Sequence, residues 1–427
     1  MAEIKAFRGL RYTEKAGDIG VLCCPPYDII SAEEREQFLE TNPNNIIRLE
    51  LPQALSDNPD LDAYGTAGQF LRDWLAGGIL ANDDTESIYV YEMEFDALGT
   101  RKNVTGFISL IKLVEFSEGI VLPHEETLSK AKTDRFNLMK ATNCNFSQIY
   151  SLFNDKCGGV STLLSEAQKS QPASSFTDKD DVKHTLWAVT DEAFIQKITA
   201  LMADKKVYIA DGHHRYETAL NYKKQLTDER GTGDYVPMML VNMENPGLVV
   251  FPTHRIVRDL PRYEQSEIIS KCEEYFEITA NLNREKGEAA LEEAYKNGEK
   301  AFVLYSGNNN YICLKLKNPE VMREFMPEAS AALRGLDVSV LHTLVLERIF
   351  GIDKENMANQ INLTYTKKAD EGIAAVDGGN ANCCFLLNPT RVTEISDVAA
   401  AGEKMPQKST YFYPKLTTGL VMNQIIK

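Results

Sequence analysis

Five consecutive residues, Asp211-Gly212-His213-His214-Arg215, bring together an acid, a glycine, two imidazoles and a guanidinium. The preceding Val207-Tyr208-Ile209-Ala210 is short, apolar and β-rich, which predicts a buried strand. After it, Tyr216, Ala219, Leu220, Lys223 and Leu226 recur at helical spacing, so a helix is expected from about His213. A strand that turns through glycine into a helix leaves backbone N–H groups unpaired at the helix start. The helix dipole adds a partial positive charge there, and anions are attracted. His213, His214 and Arg215 would place more positive charge on that end, against helix stability, so anion binding explains them better than helix formation does. Asp211 reads two ways: as a cap for the helix, or as a group that orients a substrate hydroxyl or holds Mg²⁺.

Phosphoryl transfer needs cations on the phosphates, generally a divalent metal, and a group that orients the nucleophile. Arg255 is a second phosphate candidate, on an expected strand over 248–258 that puts Thr253 on its face and His254 on the other. Lys408-Ser409-Thr410, with Gly402 six residues before the lysine, approaches the P-loop pattern. Gln407 takes the place of its second glycine and Pro406 precedes it, so the backbone cradle cannot form. Lys408 or Lys415 could still close over a bound anion. Asp28, Glu50, His124 and Glu125 are available for acid–base work or substrate contacts. His124-Glu125-Glu126 lacks a second histidine at helical zinc spacing. His213 and His214 diverge by about 100° on a helix, so no zinc site is expected.

Residues 210–219, with 6–11, Pro25-Pro26-Tyr27-Asp28, Asn42-Pro43, Arg48-Leu49-Glu50, His124-Glu125, Asp134-Arg135, 252–255 and 405–410, resemble a bacterial family known as domain of unknown function 1015. The strand–Gly–His–Arg–helix unit more distantly resembles the ParB/sulfiredoxin superfamily, which includes free-serine kinases, sulfiredoxins and CTP-binding partition proteins. There the equivalent turn binds nucleotide phosphates. Sulfiredoxins carry a reactive cysteine where His213 stands, so sulfinate reduction is not implied. Partition proteins carry Glu-Arg-Arg where this chain has His-His-Arg, and their helix-turn-helix is not evident.

The resemblance implies a nucleotide-dependent small-molecule phosphotransferase using ATP or ADP and Mg²⁺, with a free amino acid such as serine as the acceptor. Its expected machinery is Asp211, His213 and His214 for catalysis, with Asp211 also on the metal. Gly212, Arg215, Arg255, Lys408, Ser409 and Thr410 would hold the nucleotide, and His124, Glu125 and Asp28 the substrate. A phosphohydrolase for a phosphorylated metabolite and a nucleotide-sensing switch are the alternatives.

The elements that must position these groups give an α/β or α+β fold. A ParB/sulfiredoxin-like core over 1–84 and 182–260 is expected, interrupted by a β-hairpin/helix unit at 85–181 and followed by a C-terminal α+β domain at 261–427. Ser31 and Glu34 form a capping-box signal, 46–51 alternates like a strand, and Leu98-Gly99 marks a hairpin turn. The Ser/Gly-rich stretch 156–181 reads as a surface loop, and 227–234 as a polar loop. A net charge of −16 argues against broad nucleic-acid or anionic-membrane binding. No apolar run reaches membrane-spanning length, the first residues carry no signal-like apolar core, and eight sparse cysteines suit free thiols. A cytoplasmic protein is expected.

Overall fold

The computed structural model describes residues 1–54, 61–127, 129–226 and 231–426, with the backbone alone at 129 and 130. The polar loop expected over 227–234 therefore lies partly outside the described residues. The chain is a mixed α/β protein of two compact units. Unit 1 comprises Met1–Pro123, Thr127–Val249 and Pro414–Lys427; unit 2 comprises His124–Glu126 and Val250–Tyr413. Among the described residues no helix is long and apolar enough to cross a membrane.

Unit 1 is built on a nine-stranded mixed sheet. Its strands run in the order Val121–Leu122, Val207–Asp211, Ile149–Phe153, Tyr235–Asn242, Thr100–Lys112, Ile88–Ala97, Lys183–Val189 and Ser174–Thr177, with Ile4–Lys5 paired to Thr100–Lys112 off this path. The hairpin Ile88–Ala97/Thr100–Lys112 turns where expected, at Leu98 and Gly99, both at positive φ (53° and 73°). That backbone twist matches the twist of the flanking strands. The hairpin occupies the middle of the sheet, paired on one side to Tyr235–Asn242 and on the other to Lys183–Val189. Gly106 permits the first of these pairings, since a Cβ there would sit 2.3 Å from the Leu240 carbonyl oxygen.

Helices form where the caps predict them. Ser31 and Glu34 make a reciprocal capping box at the start of Ala32–Thr41. Asp62 and Asp191 cap Ala63–Ala76 and Glu192–Met202. Two expectations fail. Residues 46–51 form the short helix Ile47–Glu50 rather than a strand. Buried Asn45 accepts from the Ile47 N–H at 2.9 Å and donates to the Val21 carbonyl at 2.8 Å, which starts a helical turn against the β-like pattern. The stretch read as a loop over 156–181 contains helix Gly159–Ala167 and strand Ser174–Thr177. Val160 and Leu164 bury one face of that helix, four residues apart, within an otherwise polar composition.

Unit 2 holds a six-stranded antiparallel sheet in the order Phe276–Leu282, Tyr311–Leu316, Ala301–Tyr305, Cys383–Leu386, His254–Val257 and Leu363–Thr366. The strand expected over 248–258 is split at Pro252-Thr253 into Val249–Phe251 and His254–Val257, because proline cannot donate to a ladder. The division between the two compact units falls between Val249 and Val250, and Pro414–Lys427 belongs to unit 1.

Candidate functional site

Strand Val207–Asp211 lies between parallel Val121–Leu122 and antiparallel Ile149–Phe153. Val207 and Ile209 are fully buried in the core with Ile149, Phe153 and Met238, each contributing roughly 1.5–3 kcal/mol of apolar burial. The register slips at the strand's end: Ile209 opposes Ser151 but Asp211 opposes Tyr150, so Ala210 is the extra residue of a bulge. Bulges re-aim the side chains that follow them. Gly212 then turns the chain at φ 99°, and helix His213–Gln225 begins. A Cβ on Gly212 would lie 2.9 Å from the Arg215 guanidinium, so glycine serves both backbone and packing here. Tyr216 pins the helix, its hydroxyl donating to the Val114 carbonyl at 2.9 Å and accepting the Val114 N–H at 3.1 Å.

The charged groups of this turn converge on Asp211. Arg215 Nη2 donates to Asp211 Oδ2 at 2.6 Å, and Lys415 Nζ donates to Oδ1 at 2.7 Å. Burial by itself would raise the Asp211 carboxyl, but Lys415 and Arg215 outweigh it and hold it well below the ordinary carboxylate range. Arg215 Nη1 also donates to the Gln148 carbonyl at 2.6 Å and to Ser147 Oγ at 3.1 Å. The guanidinium plane is thus fixed on three sides, and Asp211 has both oxygens on cations. Among the described residues no three His, Cys, Asp or Glu side chains gather as a metal set. The donors on this turn suit an anion, and Asp211 is the counter-ion of Arg215 and Lys415.

A second ion pair adjoins the first. Arg215, Ser147 and Thr218 line a small cavity of about 40 Å³ together with Glu50 and Arg135, enough for a water or two. Arg135 Nη1 lies 3.4 Å from Glu50 Oε1 and donates to the Glu50 carbonyl at 2.8 Å, and its guanidinium lies 4.2 Å from the Tyr27 ring centroid. Burial raises the Glu50 carboxyl above its ordinary range, against the lowering pull of Arg135 and Arg215. Thr218 Oγ1, also buried, has no hydrogen-bond partner among the described residues. Arg135, Ser147 and Gln148 were not singled out as site residues by sequence reasoning; the motif Asp134-Arg135 was their only local signal.

The structure sorts the sequence candidates into two groups. Asp28, Asp211, Gly212, His213, His214 and Arg215 are in unit 1. His213 is buried and adds to the lowering of Asp211, His214 is half-buried, and Asp28 is exposed on the turn Tyr27–Ile29. His124, Glu125, Arg255, Lys408, Ser409 and Thr410 are in unit 2. His124 is fully buried and its Nε2 lies 2.9 Å from Thr410 Oγ1. Glu125 accepts the Lys408 N–H, and Ser409 Oγ donates to the Pro406 carbonyl at 2.5 Å. Lys408 itself sits at φ 57°, as a tight turn requires. Arg255, expected as a phosphate grip, is wholly buried, its Nε donating to His342 Nε2 at 3.3 Å and Nη1 to the Thr253 carbonyl. These bonds hold the 405–410 loop to His124 and Glu125 and Arg255 to His342 and Thr253.

Fold and turn together define a mixed α/β protein with a cationic strand–glycine–helix turn. The chain belongs to the family described as "Protein of unknown function (DUF1015)", whose model matches residues 4–339. No curated protein sequence matches it. Among solved structures it is similar to a conserved hypothetical protein from Pyrococcus furiosus, at 14% identity and a TM-score of 0.35, covering 71% of this chain and 92% of that one. It is also similar to a free serine kinase in complex with AMP, at 14% identity and a TM-score of 0.36, covering 70% of this chain and 85% of that one. A third is SbnI with C-terminal truncation from Staphylococcus aureus, at 10% identity and a TM-score of 0.33, covering 74% and 82%.

Proposed function

We propose that the Asp211–Arg215–Lys415 turn is the phosphate site of a nucleotide-dependent phosphotransferase acting on a small molecule, with a free amino acid such as serine as acceptor and ATP or ADP as donor. The observation that carries the reading is the convergence of Arg215 and Lys415 on one carboxylate at the start of a long helix. A phosphate has the charge and geometry to take Asp211's place between the two cations, gaining helix N–H groups as well. Magnesium would arrive with the nucleotide, since it is commonly held by substrate phosphates and few protein carboxylates.

For proton abstraction from an acceptor hydroxyl, the two carboxylates are not equal. Asp211 is held low by its cations and is a weak base, suited to positioning. Glu50, raised by burial and sharing a cavity with Arg215, is the better base. Its proton would come from the acceptor hydroxyl as that oxygen attacks the terminal phosphorus and the nucleotide leaves with one phosphate fewer.

A phosphorus NMR time course tests this, with protein, Mg²⁺ and ATP or ADP, with and without a pool of free amino acids. A new phosphomonoester signal that depends on the pool is expected, and Glu50→Gln should abolish it while nucleotide still binds. Unchanged nucleotide in the presence of every acceptor would overturn the kinase reading. Action on phosphorylated metabolites without nucleotide would point to a hydrolase, and thermal stabilisation by nucleotide without product to a sensor.

A further inference from the structure

Unit 2 contains a cavity of about 280 Å³ that none of the chemistry above uses, at the small end of the roughly 300–1,000 Å³ typical of ligand pockets. Its apolar wall is Phe325, Met326, Leu333, Met357 and Ala358. One polar wall is Ser339, His342, Thr343 and Glu347, drawn from Asp337–Val340 and the segment Leu341–Glu347, which widens into a π-helix, and Glu126, Lys354, Lys404 and Gln407 also line the cavity. In a π-helix, bonds run from residue i to i+5, so His342 and Glu347 come onto one wall one turn apart; such bulges concentrate at functional sites.

Two features of the polar wall call for an acceptor. Ser339 is 2% exposed, yet its Oγ has no hydrogen-bond partner among the described residues, and a buried polar group left unmet is costly. His342 takes a hydrogen bond at Nε2 from Arg255 Nε. An imidazole that accepts at Nε2 carries its proton on Nδ1, and a cation on the far nitrogen makes that N–H a stronger donor. Arg255 is wholly buried, with the Tyr365 ring 5.2 Å away, Glu125 near enough to act on its charge, and its own Nη2 without a hydrogen-bond partner among the described residues. A buried guanidinium without a bonded carboxylate favours negative charge nearby.

We propose that this cavity binds a small metabolite with an apolar body and a carboxylate, the carboxylate accepting from Ser339 Oγ and His342 Nδ1–H. The apolar body lies against Phe325, Leu333 and Met357. The site is separate from the phosphate turn and takes a ligand of a different class. It stands whether or not the phosphotransferase reading does.

The test is ligand-observed NMR and calorimetry on the full chain, with hexanoate and benzoate as carboxylate probes and hexanamide as the neutral counterpart of the first. Saturable binding of at least one carboxylate is expected, with hexanoate about tenfold tighter than hexanamide. Ala358→Trp, which fills the cavity, should abolish it. Ser339→Ala, which removes a single oxygen and leaves the fold intact, should weaken it about tenfold, and Arg215→Ala should leave it unchanged. The proposal is overturned if neither carboxylate saturates, if hexanamide binds as well as hexanoate, or if both cavity variants bind like the parent.

Discussion

Two arginines, Arg215 in the first turn of the helix after one strand and Arg255 within another, were each expected to hold phosphate. Their surroundings differ in one decisive respect. Arg215 has a carboxylate partner at 2.6 Å and keeps 12% of its side chain exposed. Arg255 is fully buried with a histidine, a carbonyl and an aromatic ring as neighbours. Burial lowers the Arg255 guanidinium to about 10, against the raising influence of Tyr365 and Glu125. A cation paired with a displaceable carboxylate is poised for exchange with another anion. A cation sealed from water without a bonded carboxylate instead stiffens a core and polarises what touches it.

The largest expected effect tests the buried member. Arg255→Ala should lose about 3–5 kcal/mol of unfolding free energy, read by urea denaturation, because it empties a packed site. Arg255→Met should cost less than about 1.5 kcal/mol, since a well-packed apolar replacement relieves the desolvated charge. Equal losses in the two variants would mean that the charge, not the packing, carries Arg255's role.

Next comes acid. His254 is lowered to about 4, first by burial and then by Arg255. Its folded value thus lies below the unfolded one near 6.5, so the native state resists protonation. Stability is complete above about pH 6.5 and falls by roughly 3 kcal/mol as the pH drops to 4. Asp337, raised to about 6 by burial, slopes the other way, losing stability as the pH rises from about 4 to 6. The difference between parent and His254→Asn isolates the histidine: between pH 6.5 and 4 the variant should lose roughly 3 kcal/mol less than the parent, what remains including buried His342, which is lowered in the same way. Parallel curves would remove His254 from the account.

The exposed member should show itself in binding. Arg215→Ala is expected to weaken nucleotide or inorganic phosphate binding about 10- to 100-fold by calorimetry, the loss of a bidentate-capable charged donor. Unchanged affinity would sink the assignment of the phosphate site. The smallest effect has the opposite sign. Asp211→Asn should tighten phosphate binding a few-fold, because the carboxylate no longer competes for Arg215 and Lys415. The same variant should lose the acid-side stability that Asp211 supplies, which is present above about pH 4 and lost below it as the depressed carboxyl protonates.

Much of this was legible in the chain itself. The strand–glycine–helix turn is local chemistry: an apolar run, a residue free to adopt φ 99°, then helical periodicity. Ser31 with Glu34 and the hairpin at Leu98-Gly99 are equally short-range, and the structure forms both. The sequence by itself therefore determined where the cationic turn is and which residues open it. Only the tertiary structure decided what each charge faces. It brought Lys415 to Asp211 across 204 positions, set the Glu50–Arg135 pair beside Arg215, and buried Arg255 and His124 out of water. It also turned 46–51 from strand to helix through buried Asn45. Periodicity reports which side of an element is apolar, whereas the partner of a charge depends on contacts between distant segments, and burial then determines whether that charge can bind or only brace.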